Sequence, residues 1–308
     1  MKAHADLASL RTAIPYIRRY KGHVFVIKLG GELCRPGDTL DHVVEQIALL
    51  YQLGIKVVLV HGGGPQADEL AERLGRRPER VAGRRVTDGA TLEIAKMAFA
   101  GIANTDLLAA LRRASAPAVG LSGVDAALLC VTRRPPTVVD DPSTGETREV
   151  DFGHVGDIQS VRPHVLRLLL DAGYIPVIAS LAADDGGQVL NVNADTIATR
   201  IAVELNAEKY FVLTGVDGVL RNVNDASTLC PFLDLAELER LEKSGVVAGG
   251  MLPKLAACKE ALRRGVPRVH IINGAQPDTL LAEVFTNEGA GTLLVEKRAA
   301  AGAAPSAK

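Results

Sequence analysis

The chain has 308 residues, 47% of them hydrophobic and 23% charged, with 35 basic and 36 acidic side chains and a formal net charge of −1. No block of one charge sign stands out, Trp is absent and aromatics are 4%; a nucleic-acid binder with a basic stripe and stacking platforms is therefore not expected. The length suits one α/β unit or two domains, with a core large enough to need no metal or disulfide staple. Cys34, Cys130, Cys230 and Cys258 lie far apart and form no Cys-x-x-Cys pair, the pattern of thiols in a reducing cytosol. No apolar run reaches the roughly 18 residues of a membrane span, and Met1 to Arg19 is charged throughout without a signal-peptide core. A cytoplasmic protein with no membrane partner is expected.

Residues 5–20 show helical periodicity through Leu7, Leu10, Ile14 and Ile17, with Pro15 expected to bend or break the helix. HVFVIKL (23–29) reads as a strand closed by Gly30-Gly31, residues 40–53 as a helix, and IKVVLV (55–60) as a second strand ending in His61-Gly62-Gly63-Gly64-Pro65. A helix opens near Pro65, where the first turn suits proline. The pattern continues with a helix (90–114), a strand (117–121), hairpin-like pieces (127–160), a helix (162–172) and the strand IPVIAS (175–180). Helix 194–206, strand 210–214, helix 251–265, strand 268–272, helix 278–285 and strand 291–295 close the chain. This order predicts an α/β fold with an open, mainly parallel central sheet between helices, its strands at 55–60, 175–180 and 210–214 fully buried. The Ala-rich tail 297–308 is expected to be disordered.

Ligands of such sheets bind beyond the carboxyl ends of the strands, where this chain carries Gly30-Gly31 and Gly62-Gly63-Gly64. Glycine lets backbone N–H groups approach phosphate oxygens, and a helix N-terminus adds favourable partial charge. Taken alone, such glycines are as often plain tight turns, and a strand-end lysine such as Lys28 is usually solvated. The match of residues 62–67 to G-x-G-x-x-A is weak as a dinucleotide fingerprint, because Arg84, Arg85 and Asp88 fall in a predicted loop where a strand-end acid is needed. Three further segments raise the odds. Asn191-Val-Asn193-Ala-Asp195 opens a helix, where Asn and Asp serve as caps or as a grip on a polar substrate. Gly249-Gly250-Met251-Leu252-Pro253-Lys254 puts a lysine just inside a helix start, an unfavourable place for a cation unless it faces an anion. Arg85 offers a planar fork for a carboxylate. Two lysines, an organising acid and backbone N–H groups are what phosphoryl transfer to an anionic acceptor requires, since that chemistry rests on positioning and charge neutralisation.

With IKLGG, VLVHGGGPQ, GRRVTD, GLSGVD, NVNADT, LTGVDGVL, GGMLPK and FTNEGAGT in order across residues 24–294, the chain resembles the amino-acid kinase family, and within it the N-acetyl-L-glutamate kinases. The resemblance implies Lys28 and Lys254 as transition-state lysines, Asp195 as the acid that organises them, and Gly30, Gly31, Gly62, Gly63 and Gly64 as phosphate-binding glycines. It implies substrate contacts at Gly63, Gly64, Arg85, Asn191 and Asn193, ATP and Mg²⁺ as cofactors with no metal-ligating protein side chain, and N-acetyl-L-glutamate as substrate in arginine biosynthesis. Residues 1–20 resemble the oligomerisation helix of arginine-inhibited members. Tyr16, His270, Glu283 and Gly289 match their L-arginine pocket, and a homo-dimer or a hexamer is implied. Residues 21–296 would be the kinase domain, about 21–180 binding the acyl-amino acid and about 181–296 binding ATP. The chain departs from the family at Gly215 in place of Asp, at Val124 in place of Lys, and at Asn273-Gly274-Ala275 in place of Asp-Gly-Arg. Rival readings are a kinase of the same fold for N-succinylglutamate or a carrier-linked aminoadipate, a non-catalytic arginine-binding regulatory module, and a dinucleotide enzyme using Gly62 to Ala67.

Overall fold

A computed structural model of the chain describes residues 2–141, 145–222, 224–247 and 250–297. The expected disordered tail lies outside these residues apart from Lys297, as do Met1, Pro142 and Gly249; the side chains of residues 2–10 are outside them too.

Eight strands form the central sheet: β1 (Val24–Leu29), β2 (Lys56–His61), β3 (Ala118–Ser122), β4 (Ile175–Ala179), β5 (Lys209–Thr214), β6 (Phe232–Asp234), β7 (Val269–Asn273) and β8 (Thr292–Val295), in spatial order β6-β8-β7-β5-β1-β2-β4-β3. All neighbours pair in parallel except β7 and β8. The carboxyl ends of β1, β2, β4 and β5 therefore open on one side of the molecule. A smaller sheet joins Val189–Asn191, Leu181–Ala183, Leu129–Arg133 and Gly156–Val161, in that spatial order.

Nine helices are used below: α1 (Lys2–Tyr20), α2 (Asp38–Gln52), α3 (Gly64–Arg73), α4 (Gly89–Arg113), α5 (His164–Asp171), α6 (Ala194–Glu204), α7 (Leu235–Lys243), α8 (Met251–Arg263) and α9 (Thr279–Phe285). The alternation of strand side chains divides the core into two layers. On one face Val26, Val58, Val60, Ile178, Tyr210 and Val212 pack with Ile197 and Ile201 of α6 and Leu255 and Leu262 of α8. On the other, Phe25, Ile27, Leu29, Val57, Leu59, Phe211 and Leu213 pack with α2, α4, α9 and Tyr16 and Tyr20 of α1. Burying each large apolar side chain contributes on the order of 1.5–3 kcal/mol. The strands are buried nearly end to end, as the apolar runs predict.

Two expectations need correction. The N-terminal helix runs through Pro15 without breaking. Proline removes one backbone hydrogen bond, to the carbonyl of Arg11, but both residues are exposed, so water can take the freed carbonyl. Tyr16 and Tyr20, at 7% and 0% exposure, anchor the segment to the core. Arg84–Arg85 is a short strand paired with Arg80–Val81 rather than loop, while Asp88 caps α4 through Thr91 N at 2.7 Å. Helix α4 is long and apolar enough to cross a membrane by length and composition alone, but half of its most apolar stretch is buried, and Phe99, Leu107 and Leu111 face the protein interior.

Candidate functional site

Period-two alternation places Lys28 on the same face of β1 as Val26, the face covered by α6 and α8. There Lys28 Nζ meets Asp195 Oδ1 at 3.0 Å. The residues are 6% and 7% exposed, so this ion pair is nearly dry. Asp195 stands in the first turn of α6, where a negative charge suits the helix dipole. Helix α8 packs against α6, with Thr199 Oγ1 donating to Ala257 O at 3.1 Å. Lys254, half-buried, stands in the first turn of α8. Among the described residues no ion pair joins Lys254 to Asp195 directly, but the charges of both lysines and of Asp195 all reach the Cys258 thiol. Burial raises that thiol's pKa well above its usual value; Asp195 adds to the rise, while Lys28 and Lys254 oppose it. Burial likewise pushes the Cys34 thiol up to about 12 against the pull of Lys28, so neither thiol supplies a nucleophile at neutral pH.

The two glycine turns face each other beside this cluster. A Cβ on Gly31 would lie 2.7 Å from Pro65 Cδ, 3.3 Å from Gly64 N and 3.5 Å from Gly63 N. The amides of Gly63 and Gly64 therefore line a space that only a residue without a side chain at position 31 leaves open. Gly63 precedes α3 and no side chain caps that helix, whose first N–H groups have no intrahelical acceptor. None of Gly30, Gly31, Gly62, Gly63 or Gly64 has positive φ, so close approach, not backbone handedness, requires glycine here. A Cβ on Gly63 would meet the Phe99 ring at 2.3 Å; one on Gly64 would point into open space. Gln66 Nε2 donates to Gly31 O at 2.9 Å and so ties one turn to the other. The Glu32 carboxylate folds over Gly30.

The remaining predicted contacts distribute as follows. Arg85 Nη2 donates to Gly64 O at 3.1 Å and to Asp68 Oδ1 at 2.6 Å, with its side chain 9% exposed. Burial lowers its pKa, and Asp68 opposes that shift. Asn191 Nδ2 donates to Thr87 Oγ1 at 3.3 Å, joining the smaller sheet to the GRRVTD segment. Asn193 is exposed and caps α6, its Oδ1 accepting from the amides of Asp195 and Thr196 at 2.8 and 3.1 Å. Its oxygen is therefore already used. Gly215 has open space around it, and Val124 is exposed. Asn273 Nδ2 donates to Asp217 Oδ1 at 2.8 Å, an acid of the LTGVDGVL segment. Among the described residues no group of three His, Cys, Asp or Glu side chains is placed to hold a metal ion.

A second cluster lies across the sheet. His270 stacks on Phe211 and shares a 2.7 Å hydrogen bond with Glu283, both nearly inaccessible. Glu283 Oε2 accepts from the amides of Ala290 and Gly291 at 2.6 and 3.1 Å. Burial opposes ionisation of Glu283, but the bond to His270, the Ala290 amide and the charge of Lys209 outweigh it and hold the carboxyl well below its usual range. Burial, with the charge of Lys209, lowers His270 to about 4, so its ring is neutral. Gly289 has φ +70° and a Cβ there would strike Glu283 Oε2 at 2.6 Å. Tyr16 Oη donates to Asn287 Oδ1 at 2.6 Å. The four residues matched to an effector pocket thus gather around one turn.

Sequence reasoning missed Gln66, Thr87, Phe99 and Asn104 at the site. Gln66 and Thr87 stand inside quoted motifs; Phe99 and Asn104 carry no local signal and reach the glycines only through packing. It also missed β6 and α7, although Asp234 and Glu237 spell a capping box.

The amino acid kinase family profile matches residues 23–273. An acetylglutamate kinase of Myxococcus xanthus (strain DK1622) is 47% identical over 292 residues, covering 95% of each chain. The N-acetylglutamate synthase of Neisseria gonorrhoeae superposes with a TM-score of 0.81 and 35% identity in its complex with coenzyme A and N-acetyl-glutamate, and with 0.78 and 32% in its complex with coenzyme A and L-arginine. These alignments cover 95% and 94% of this chain but 64% and 65% of the synthase. With the family profile spanning most of its length, this chain belongs to the amino acid kinase family.

Proposed function

We propose that this protein transfers the γ-phosphoryl group of ATP to the side-chain carboxylate of N-acetyl-L-glutamate, giving N-acetyl-L-glutamyl 5-phosphate and ADP in arginine biosynthesis. The observation that carries the reading is the buried Lys28–Asp195 pair set beside the space between Gly31 and the Gly63 and Gly64 amides. Identity of 47% over nearly all of an acetylglutamate kinase supports the same substrate. The attacking carboxylate is ionised at neutral pH, so no general base is needed. The obstacle is repulsion between two anions. Lys28 and Lys254 offset that charge, Asp195 fixes Lys28, and the glycine amides hold the non-bridging oxygens in a water-poor site where such donors count most. Mg²⁺ carried with the nucleotide would neutralise part of the phosphate charge, with no protein side chain as its ligand. Arg85 and Asn191 hold the α-carboxylate and the acyl-amino group, with Gly63, Gly64 and Asn193 at the edge of that subsite.

We assign residues 21–180 to acyl-amino-acid binding and 181–296 to nucleotide binding, with Asn191 reaching back to the first half through Thr87. Free thiols at all four cysteines suit a cytoplasmic enzyme. In this reading the chain assembles as a homo-dimer, and the N-terminal segment, residues 1–20, extends it to a hexamer.

The test is hydroxylamine trapping of the acyl phosphate with MgATP and N-acetyl-L-glutamate, with N-succinylglutamate, L-glutamate and an aminoadipate conjugate in parallel. Hydroxamate from N-acetyl-L-glutamate alone upholds the reading, and hydroxamate from another acid alone moves the substrate. No product from any acid, with L-arginine bound, makes the chain a regulatory module, the reading that likeness to the synthase favours.

L-Arginine binds at Tyr16, His270, Glu283 and Gly289 and inhibits. Deleting residues 1–20 is a poor probe, because it strips Tyr20 from the core. In Tyr16→Phe the bond to Asn287 is lost, and inhibition by L-arginine is expected to weaken about tenfold or less, by the roughly 1 kcal/mol of one hydrogen bond. Identical inhibition curves for the two proteins would remove α1 from the effector site.

A further inference from the structure

His61 ends β2 immediately before the glycine turn and is fully buried. Its Nδ1 lies 2.7 Å from Gly62 O, and its Nε2 lies 2.9 Å from Asn104 Nδ2. A carbonyl only accepts and an amide nitrogen only donates, so one tautomer fits both contacts: Nδ1 carries the proton and Nε2 accepts. Burial holds the ring neutral, with a pKa of about 4. Asn104 Nδ2 also lies 3.2 Å from Val177 O on β4. A Cβ on Gly120 would come within 2.2 Å of Asn104 Oδ1, so glycine at 120 on β3 makes room for this side chain.

Helix α4 reaches the turn directly at Gly63 and through His61. Residues Met97–Ala103 of α4 form a π-helical turn, a feature often found at functional sites. Phe99, within it, closes over Gly63, and Asn104 follows it directly. The Gly62–Gly63 peptide is planar and trans, so its C=O and N–H point in opposite directions. Holding Gly62 O against the His61 ring turns the Gly63 N–H away from that ring, and this is the amide that lines the space beside Gly31.

We infer that His61 and Asn104 are positioning residues for phosphoryl transfer: together they lock the Gly62–Gly63 peptide so that the Gly63 N–H is aimed at the transferring phosphoryl group before nucleotide binds. The inference rests on the kinase reading above for its catalytic consequence, but not for its geometry.

The first measurement is therefore independent of turnover. In full-length protein with ¹⁵N-labelled histidine, His61 is expected as a neutral ring protonated on Nδ1, with a slowly exchanging proton, without and with a non-hydrolysable MgATP analogue. A ring protonated on Nε2 overturns the proposal, whatever the enzyme does. The second measurement is kinetic. Asn104→Leu is expected to lower kcat at least tenfold while KM for N-acetyl-L-glutamate stays within about threefold. Gly120→Ala, which displaces Asn104 without altering it, should move kcat the same way. Unchanged kcat in both variants, or a loss confined to KM for the acyl-amino acid, overturns it. If Asn104→Leu does not fold, Gly120→Ala and the tautomer still decide. Wild-type protein that yields no hydroxamate with any acid, yet shows the Nδ1–H ring, refutes the kinase reading and leaves the locked peptide standing.

Discussion

Lys28→Met lowers the turnover of N-acetyl-L-glutamate by at least about a hundredfold, the typical cost of removing one donor aimed at developing transition-state charge. The same substitution also strips Asp195 of its partner. With the pair's side chains only 7% and 10% exposed, the orphaned carboxylate has little water to turn to, and breaking a buried pair from one side costs on the order of 3–5 kcal/mol. Lys28→Met alone therefore confounds lost chemistry with lost stability. The double variant Lys28→Met/Asp195→Asn separates them. It removes both charges in a volume-matched way, and its thermal midpoint is expected to return most of the way to wild type. Its hydroxamate production is expected to stay at the Lys28→Met level, because no cation has been restored near the phosphoryl group. Recovery of both quantities together would make the pair a structural salt bridge and nothing more.

That pairing shows how far the sequence reaches. The strand ending in Lys28-Leu29-Gly30-Gly31 is legible from β-branched content and glycine, and Asp195 is legible as a first-turn acid of a helix. Their meeting follows from side-chain alternation along β1 combined with α6 and α8 covering that face, which only the assembled layers decide. Lys254 shows the converse: its motif places it in the first turn of α8, but its separation from Asp195 is a matter of helix packing. Asn193 reads as a cap or a ligand in sequence, and its bonds to the Asp195 and Thr196 amides favour the cap. The helix over residues 5–20 is legible from its periodicity, but its continuity through Pro15 is not, because tertiary anchoring by Tyr16 and Tyr20 outweighs one lost backbone bond. Gln66 sits within a motif that drew attention only to its glycines, and Asn104 depends on a π-helical turn that no local pattern announces.

Gly31→Ala is expected to leave the protein folded and to lower kcat by about a hundredfold or more, with KM for MgATP raised as well. The backbone conformation at 31 is open to any residue, since its φ is not positive, so the effect must come from space. The added Cβ would sit 2.7 Å from Pro65 Cδ, a contact too short to persist. Pro65 belongs to the first turn of α3, and its ring cannot swing aside as a flexible side chain would. Relief therefore comes from parting the two turns, at an overpacking cost of roughly 1–3 kcal/mol. Parting them stretches the Gln66 bond to Gly31 O and moves the Gly63 and Gly64 amides, while the methyl itself enters the space those amides line. Stability falls modestly and transition-state binding falls steeply, because preorganised donors act only at the right distance. Gly89→Ala is the control: it lies at the start of α4, nothing stands within 4 Å of its Cβ position, and its activity should match wild type. Steady-state kinetics and thermal midpoints on the three proteins decide the matter. Equal activity of Gly31→Ala and Gly89→Ala would show that the phosphoryl group is held somewhere other than between the two glycine turns.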